Sequence, residues 1–322
     1  MNLLFHRLLL LSALIAGSNS LSNAKAGLVP REGFVQVEGG PIWYRIFGSG
    51  KGIPILIVHG GPGSRSCYYE NLAVILGKDR PVIVYDQLGT GRSGRPIDTS
   101  LWKVERFVRE LGQFRAALKL DRINLMGHSW GAAVVAAYLS MGKPKGVESV
   151  IFAGPYLSSK LWVEDANILL SQLPKDTQAT LKRHEQAGTT ESKEYQEAAE
   201  VFYSRFMYHK PRPSLPASCG ESKGNDEIYT LMWGASEFSV TGTLKTFDIT
   251  PVLPRLKMPV LFVVGQFDEV RPETATLLQA MVPKAKLEIL EGCGHMAPIE
   301  DPEAYANALN LFLGKIGSSP KN

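Results

Sequence analysis

Ile123-Asn124-Leu125-Met126-Gly127-His128-Ser129-Trp130-Gly131-Ala132-Ala133-Val134-Val135-Ala136-Ala137-Tyr138-Leu139 is the stretch that decides the fold. An apolar run leads into Gly-x-Ser-x-Gly and a longer apolar run leads out, which reads as buried strand, sharp turn and buried helix. A serine on such a turn stands out from the backbone, where a base can reach its hydroxyl. The five-residue motif alone is weak, because a chain with 31 Gly meets that pattern easily by accident. The flanking runs raise it.

Two later stretches give Ser129 its partners. Asp268 ends Gly265-Gln266-Phe267-Asp268 after the apolar run 260–264, and His295 ends Gly292-Cys293-Gly294-His295 after the run 287–290. Taken singly, a Ser beside Gly is a turn residue, an Asp after a strand is a cap, and a His among Gly is loop. Together, at strand ends and in the order Ser, acid, His, they read as a triad, and that order resembles the α/β-hydrolases. The chemistry requires the grouping. A serine hydroxyl is a poor nucleophile until a histidine takes its proton, and the histidine needs a carboxylate to fix its tautomer. Ser129 is expected to attack, His295 to shuttle the proton and Asp268 to orient His295.

Developing negative charge on a substrate carbonyl needs donors. His59-Gly60-Gly61-Pro62-Gly63 follows the apolar run 55–58 and offers a loop at a strand's carboxyl end. The backbone N–H groups of Trp130 and Gly61 are the expected oxyanion hole. The plainer reading of that loop is a strand-to-helix turn.

Working outward, 34–37 and 42–47 read as a hairpin across Gly39-Gly40. Buried-strand runs follow at 53–58, 81–85, 123–126, 150–153, 260–264 and 287–290, separated by helical stretches such as 101–120. Alternation of strand and helix predicts an α/β fold with a mostly parallel, doubly wound sheet, whose reactive loops lie at the carboxyl ends of the strands. Between Tyr156 and Leu256 the strand rhythm stops. Helical stretches at 161–173 and 194–207, a Pro211-Arg212-Pro213 connection and the aromatics Trp162, Phe202, Tyr203, Phe206, Trp233 and Phe238 read as an inserted helical lid above Ser129. Most of those aromatics are expected to be the lid's own core. The expected divisions are a signal peptide at 1–26, core at 27–156, cap at 157–255, core at 256–316 and a flexible tail at 317–322.

With 322 residues, 44% of them hydrophobic and 20% charged, the chain can bury a large core. Its formal charge of +4 falls to +2 without Arg7 and Lys25, and no Lys/Arg block tracks phosphates, so a nucleic-acid partner is not expected. Arg7, the short apolar run 8–17 and Ala24-Lys25-Ala26 read as a secretory signal cleaved after Ala26. An exported protein, periplasmic or secreted, without a stable membrane anchor is therefore expected. Cys67, Cys219 and Cys293 allow at most one disulfide, and Cys293 reads as packing near the site. The six His show no metal-ligand spacing, so no metal is expected. Gly89-Thr90-Gly91-Arg92-Ser93-Gly94 matches a dinucleotide fingerprint in letters only. Arg95-Pro96 prevents a helix from opening there, so no cofactor is expected.

These motifs carry a finer resemblance. The elements 59–63, 85–93, 127–131 and Gly265-Gln266-Phe267-Asp268-Glu269-Val270 resemble the proline iminopeptidases, a family of serine aminopeptidases, over nearly the whole mature chain. The segment 232–245, from Met232-Trp233-Gly234 to Thr243-Leu244-Lys245, resembles the tricorn-interacting-factor branch of that family. His128 departs from the Gly or Ser that many members carry before the nucleophile. The resemblance implies release of an N-terminal residue, proline or another small one, from short peptides or amino-acid amides. It also implies that Glu237 and Glu269 bind the free α-amine, since a cation in a partly dry pocket is best read by carboxylates. Two other readings use the same residues: an amidase, esterase or lactonase acting on an uncharged small molecule, and a binding protein with an idle triad.

Overall fold

The computed structural model describes residues 31–317, and side chains as far as residue 314. The expected signal peptide and residues 318–322 of the expected tail lie outside the described residues; residue 317 ends the last helix.

Strands β1 (Glu32–Val37) and β2 (Gly40–Phe47) form the expected hairpin. Then follow β3 (Ile55–Val58), α1 (Glu70–Leu76), β4 (Val82–Tyr85), α2 (Val104–Ala117), β5 (Ile123–His128), α3 (Trp130–Gly142) and β6 (Val147–Ala153). Helices α4 (Ser159–Ser171), α5 (Lys175–Ala187), α6 (Lys193–Phe202), α7 (Ser218–Glu221) and α8 (Asp226–Met232) fill the interval before β7 (Val260–Gly265). The chain closes with α9 (Pro272–Ala280), β8 (Lys286–Leu290), α10 (Ala297–Glu300) and α11 (Pro302–Gly317). One sheet has the order β1-β2-β4-β3-β5-β6-β7-β8. β2 runs antiparallel to both neighbours, and every pairing from β4 onward is parallel. This is the α/β-hydrolase architecture.

The strands β3 to β7 read as continuous apolar runs because both sheet faces are covered. Successive side chains alternate between two cores. Ile55, Ile57, Val82, Val84 and Met126 pack with Leu72, Tyr305 and Leu309 of α1 and α11. Leu56, Val58, Ile83, Leu125 and Phe152 pack instead with Phe107, Phe114 and Val134 of α2 and α3. The expected helix over 101–120 is shorter, because Asp98 caps a separate 3-10 turn at Thr99–Leu101 and Trp102 breaks the helical path with ψ 69°.

The inserted helices carry their own core around Leu169, Leu181, Tyr195, Phe202, Phe206 and Phe238. Trp162 and Trp233 do not belong to it: they pack edge-on against each other and against Tyr156, in the core shared with the sheet. The insert is tied to the sheet side at several places, among them the following. Cys219 forms a disulfide with Cys67, beyond β3, leaving Cys293 as a buried free thiol. Asp165 on α4 accepts hydrogen bonds from the Arg271 N–H (3.0 Å) and the Thr274 hydroxyl (2.8 Å) at the start of α9. After α6 the chain widens into a π-turn at Tyr203–Met207, where the expected helix over 194–207 loses its regular pitch. The carbonyls of Phe206 and Met207 accept the N–H groups of His295 and Met296 at 2.8 and 2.9 Å.

Candidate active site

Ser129 sits between β5 and α3 with φ 53° and ψ −121°, a conformation sparsely populated by side-chain-bearing residues. The surrounding glycines allow this turn by close approach. A Cβ on Gly131 would lie 2.1 Å from the Val58 carbonyl oxygen, and one on Gly127 would lie 2.4 Å from that of Gly131. The turn thus presses against the end of β3 and points Ser129 into a cavity of about 530 Å³. Gly60, Gly61, Glu237, Tyr229 and His295 line the same cavity.

Asp268 and His295 come from the loops after β7 and β8. Asp268 Oδ1 accepts the His295 Nδ1–H at 2.7 Å and the Val270 N–H at 3.0 Å, while Oδ2 accepts the Gly265 N–H at 3.1 Å. Three donors therefore fix a carboxylate that is 1% exposed, and the carboxylate fixes the ring. Burial disfavours a charge on His295, but Asp268 first, then Glu269 and Glu237, outweigh it and lift the imidazolium to about 9. Gly154, at the end of β6, backs this pair: a Cβ there would meet His295 Nδ1 at 2.8 Å and Asp268 Oδ2 at 3.2 Å. No local sequence signal singles out Gly154, whose constraint combines a positive φ of 45° with the approach of two loops distant in the chain.

The loop expected to donate to an oxyanion lies against the same turn. Trp130 heads α3, so its N–H has no preceding turn to bond with and is free for a ligand. Gly61 lines the cavity, and a Cβ on its neighbour Gly60 would meet Ser129 Cβ at 3.1 Å. Gln87 ties the two donor loops together. Its side-chain amide donates to the His59 carbonyl (2.8 Å) and accepts the Trp130 indole N–H (3.1 Å), while its backbone N–H donates to His59 Nε2 (3.0 Å). The dinucleotide-like stretch after it folds as a tight turn, in which Asp86 accepts the N–H groups of Ser66 and Arg92, each at 2.8 Å.

His128, the departure noted in the motif, also reaches the cavity wall. Its ring lies 4.8 Å from that of His295, and Nε2 contacts the His295 carbonyl oxygen at 3.0 Å. Burial and His295 push it down to about 3, so it is a neutral donor bracing the His295 loop.

Glu237 lines the cavity from the insert, and Glu269, in the loop after β7, lies beside His295 with Oε2 3.8 Å from its Nε2. Glu269 is 3% exposed, and neither of its carboxylate oxygens has a hydrogen-bond partner among the described residues. Burial, then Glu237 and Asp268, hold its carboxyl well above the usual range, against the pull of His295. Glu237 is raised by burial and eased down by His295 and the Tyr229 hydroxyl. The phenols of Tyr203 and Tyr229 stand beside both glutamates and are held neutral by burial and by that negative charge. Trp162 completes this end, edge-on to His295 at 5.6 Å, with its indole N–H donating to the Glu237 carbonyl at 2.8 Å. Sequence reasoning did not assign Tyr229 a place in the site; nothing in its local pattern separates it from a helix residue of the insert. No group of three or more His, Cys, Asp or Glu among the described residues is arranged to hold a metal.

Ser129 and His295 share one cavity with the Gly60-Gly61 loop and Glu237, an arrangement suited to nucleophilic acyl transfer. A family model described as the alpha/beta hydrolase fold matches residues 53–302. The chain is 46% identical over 287 residues to a proline iminopeptidase of Heyndrickxia coagulans, covering 88% of this chain and 99% of that relative. A Clostridium botulinum proline iminopeptidase is 36% identical over 276 residues, 85% of this chain and 94% of that one. Among solved structures, a Mycobacterium smegmatis proline iminopeptidase matches with TM-score 0.77 at 30% identity, and VinJ with TM-score 0.81 at 29%. Each comparison covers 88% of this chain and 98% of the other.

Proposed function

This chain belongs to the proline iminopeptidase family of α/β-hydrolases, and on that footing we propose that it is a serine aminopeptidase. It releases an N-terminal proline or another small residue from short peptides or amino-acid amides. The observation that carries the reading is the pair Glu237 and Glu269. A buried carboxyl and a partly buried one, with no Lys or Arg beside them among the described residues and only the His295 ring 3.8 Å from Glu269, are costly unless a ligand brings further positive charge. An α-ammonium group does so and places the first scissile carbonyl beside Ser129.

In this mechanism Ser129 attacks the carbonyl carbon as His295 Nε2 takes the hydroxyl proton. The N–H groups of Trp130 and Gly61 hold the oxyanion, and His295 returns the proton to the leaving amine. A water molecule, deprotonated by His295, then cleaves the acyl-enzyme and restores Ser129. Asp268 keeps the proton of Nδ1 in place throughout. The segment 232–245, which supplies Glu237, supports placing the chain in the tricorn-interacting-factor-like branch. The Cys67–Cys219 disulfide supports export, since such bonds persist in oxidising compartments.

The test is hydrolysis of prolyl-, alanyl- and leucyl-arylamides beside N-acetyl-prolyl arylamide and an aryl acetate, with Ser129→Ala as the blank. Cleavage confined to free-amine substrates and absent from the blank is the expected result. Equal cleavage of the acetylated amide or the acetate would replace this reading with an amidase or esterase.

A further inference from the structure

The wall of the cavity at Ser129 carries two positive side chains, Arg65 and Lys223. Both flank one backbone contact. The Asn225 N–H donates to the Gly63 carbonyl at 2.8 Å, and each cation stands two residues along the chain from that bond. Gly63 itself lies two residues beyond Gly61, the expected oxyanion donor. The chain from Gly61 to Arg65 spans at most about 14 Å, so a short peptide reacting at Ser129 can reach both cations.

Arg65 is half-buried and held in one pose. Its Nη1 donates to the carbonyls of Cys219 (3.3 Å) and Ser222, its Nη2 donates to the Tyr68 hydroxyl (3.0 Å), and the guanidinium lies 5.0 Å from the Tyr68 ring. Each of these partners is neutral. No carboxylate pairs with the guanidinium among the described residues, and its Nε–H and one Nη2–H have no partner there. A guanidinium is always charged, and free donors on a fixed fork suit a carboxylate. Lys223 adds a mobile charge. Its carbonyl accepts the Gly91 N–H at 2.8 Å and the Arg95 guanidinium, which fixes the backbone, whereas its exposed ammonium has no ion pair among the described residues. Asp226 lines the same stretch, but its exposed carboxylate pairs with neither cation.

We propose that Arg65 and Lys223 form a subsite for the free C-terminal carboxylate of a short peptide, on the leaving-group side of Ser129. The inference rests on the aminopeptidase reading given above: with the substrate ammonium at Glu237 and the first carbonyl at Ser129, the rest of the peptide runs toward the cations. A di- or tripeptide is then held at both charged ends. A C-terminal amide forfeits the second hold. The carboxylate takes no part in the bond-breaking steps, so its recognition acts through KM.

The test compares kcat/KM for Pro-Ala, Pro-Ala-Ala and their C-terminal carboxamides at low salt, with prolyl arylamide as the reference substrate. The better-cleaved acid should exceed its own amide about tenfold, through a lower KM. Lys223→Gln should lower that ratio about threefold, and Arg65→Gln should bring it near one. Salt at about 1 M should also reduce it, since exposed charges are screened. Pro-Glu-NH2 carries its carboxylate on the side chain, and cleavage as fast as that of the better acid would overturn recognition of the terminus. If prolyl arylamide is cleaved and both acids only match their amides, the subsite is wrong while the aminopeptidase stands. If only acetylated or ester substrates are cleaved, the aminopeptidase reading fails and the subsite fails with it. The wild-type comparison decides the question even if Arg65→Gln does not fold.

Discussion

Ser129, Asp268 and His295 show how much constraint one residue can hold. Asp268 accepts three hydrogen bonds within a loop that buries it, so Asp268→Asn keeps the shape and loses the tautomer. A fall in kcat of about 10⁴-fold is expected, with little change in thermal stability. Gly154 makes a different kind of demand. A methyl group there must push His295 or Asp268 aside, and a displacement approaching 1 Å costs roughly a hundredfold. Gly154→Ala should therefore lower kcat about ten- to a hundredfold for all substrates alike, as measured by steady-state kinetics. The candidate triad residues are legible in sequence because each sits in a local turn motif with glycines. Gly154 and Tyr229 are not, because loops far away in the chain give them their roles.

At the scale of elements, the buried runs locate β3 to β7, whose two faces are covered, while the edge strands β1 and β8, largely exposed, are legible from the hairpin pattern and a short apolar run instead. Their spatial order does not follow from those runs: β4 lies between β2 and β3 because of a crossover, which periodicity does not encode. The end of α6 is the clearest departure. Propensity favours a helix through Met207, yet the last turn opens into a π-turn whose carbonyls serve the His295 loop. Rare widened turns of this kind collect at functional sites. The disulfide works on the other wall. It joins positions 152 residues apart and, with Arg65 donating to the carbonyls of Cys219 and Ser222, fastens the segment after α7 to the loop after β3. Cys219→Ser should cost about 2–4 kcal/mol in denaturant unfolding. It should also raise KM more than it lowers kcat, because Asn225 and Tyr229, which line the cavity, follow directly.

For the whole molecule, the buried site links folding to pH. The folded imidazolium of His295, at about 9, lies above its unfolded value of about 6.5. Its contribution to stability is therefore complete below about pH 6.5 and is lost as pH rises through about 9, a loss on the order of 3 kcal/mol. The raised carboxyls of Glu237 and Glu269 act in the same sense, since each favours the protonated form in the fold. Thermal unfolding should show Tm falling between pH 6.5 and 9, and His295→Asn should flatten that slope. An unchanged slope in the variant would place the linkage elsewhere.

The account turns on a free amine being read by Glu237 and Glu269 next to Ser129. The most direct measurement is the ratio of kcat/KM for prolyl arylamide over N-acetyl-prolyl arylamide, in wild type and in Glu237→Gln. A ratio of about 10³ or more in wild type is predicted, falling at least tenfold in the variant through loss on the free-amine substrate, since removing one partner of a buried charge pair costs several kcal/mol. A wild-type ratio near one, or a ratio untouched by the substitution, would contradict it.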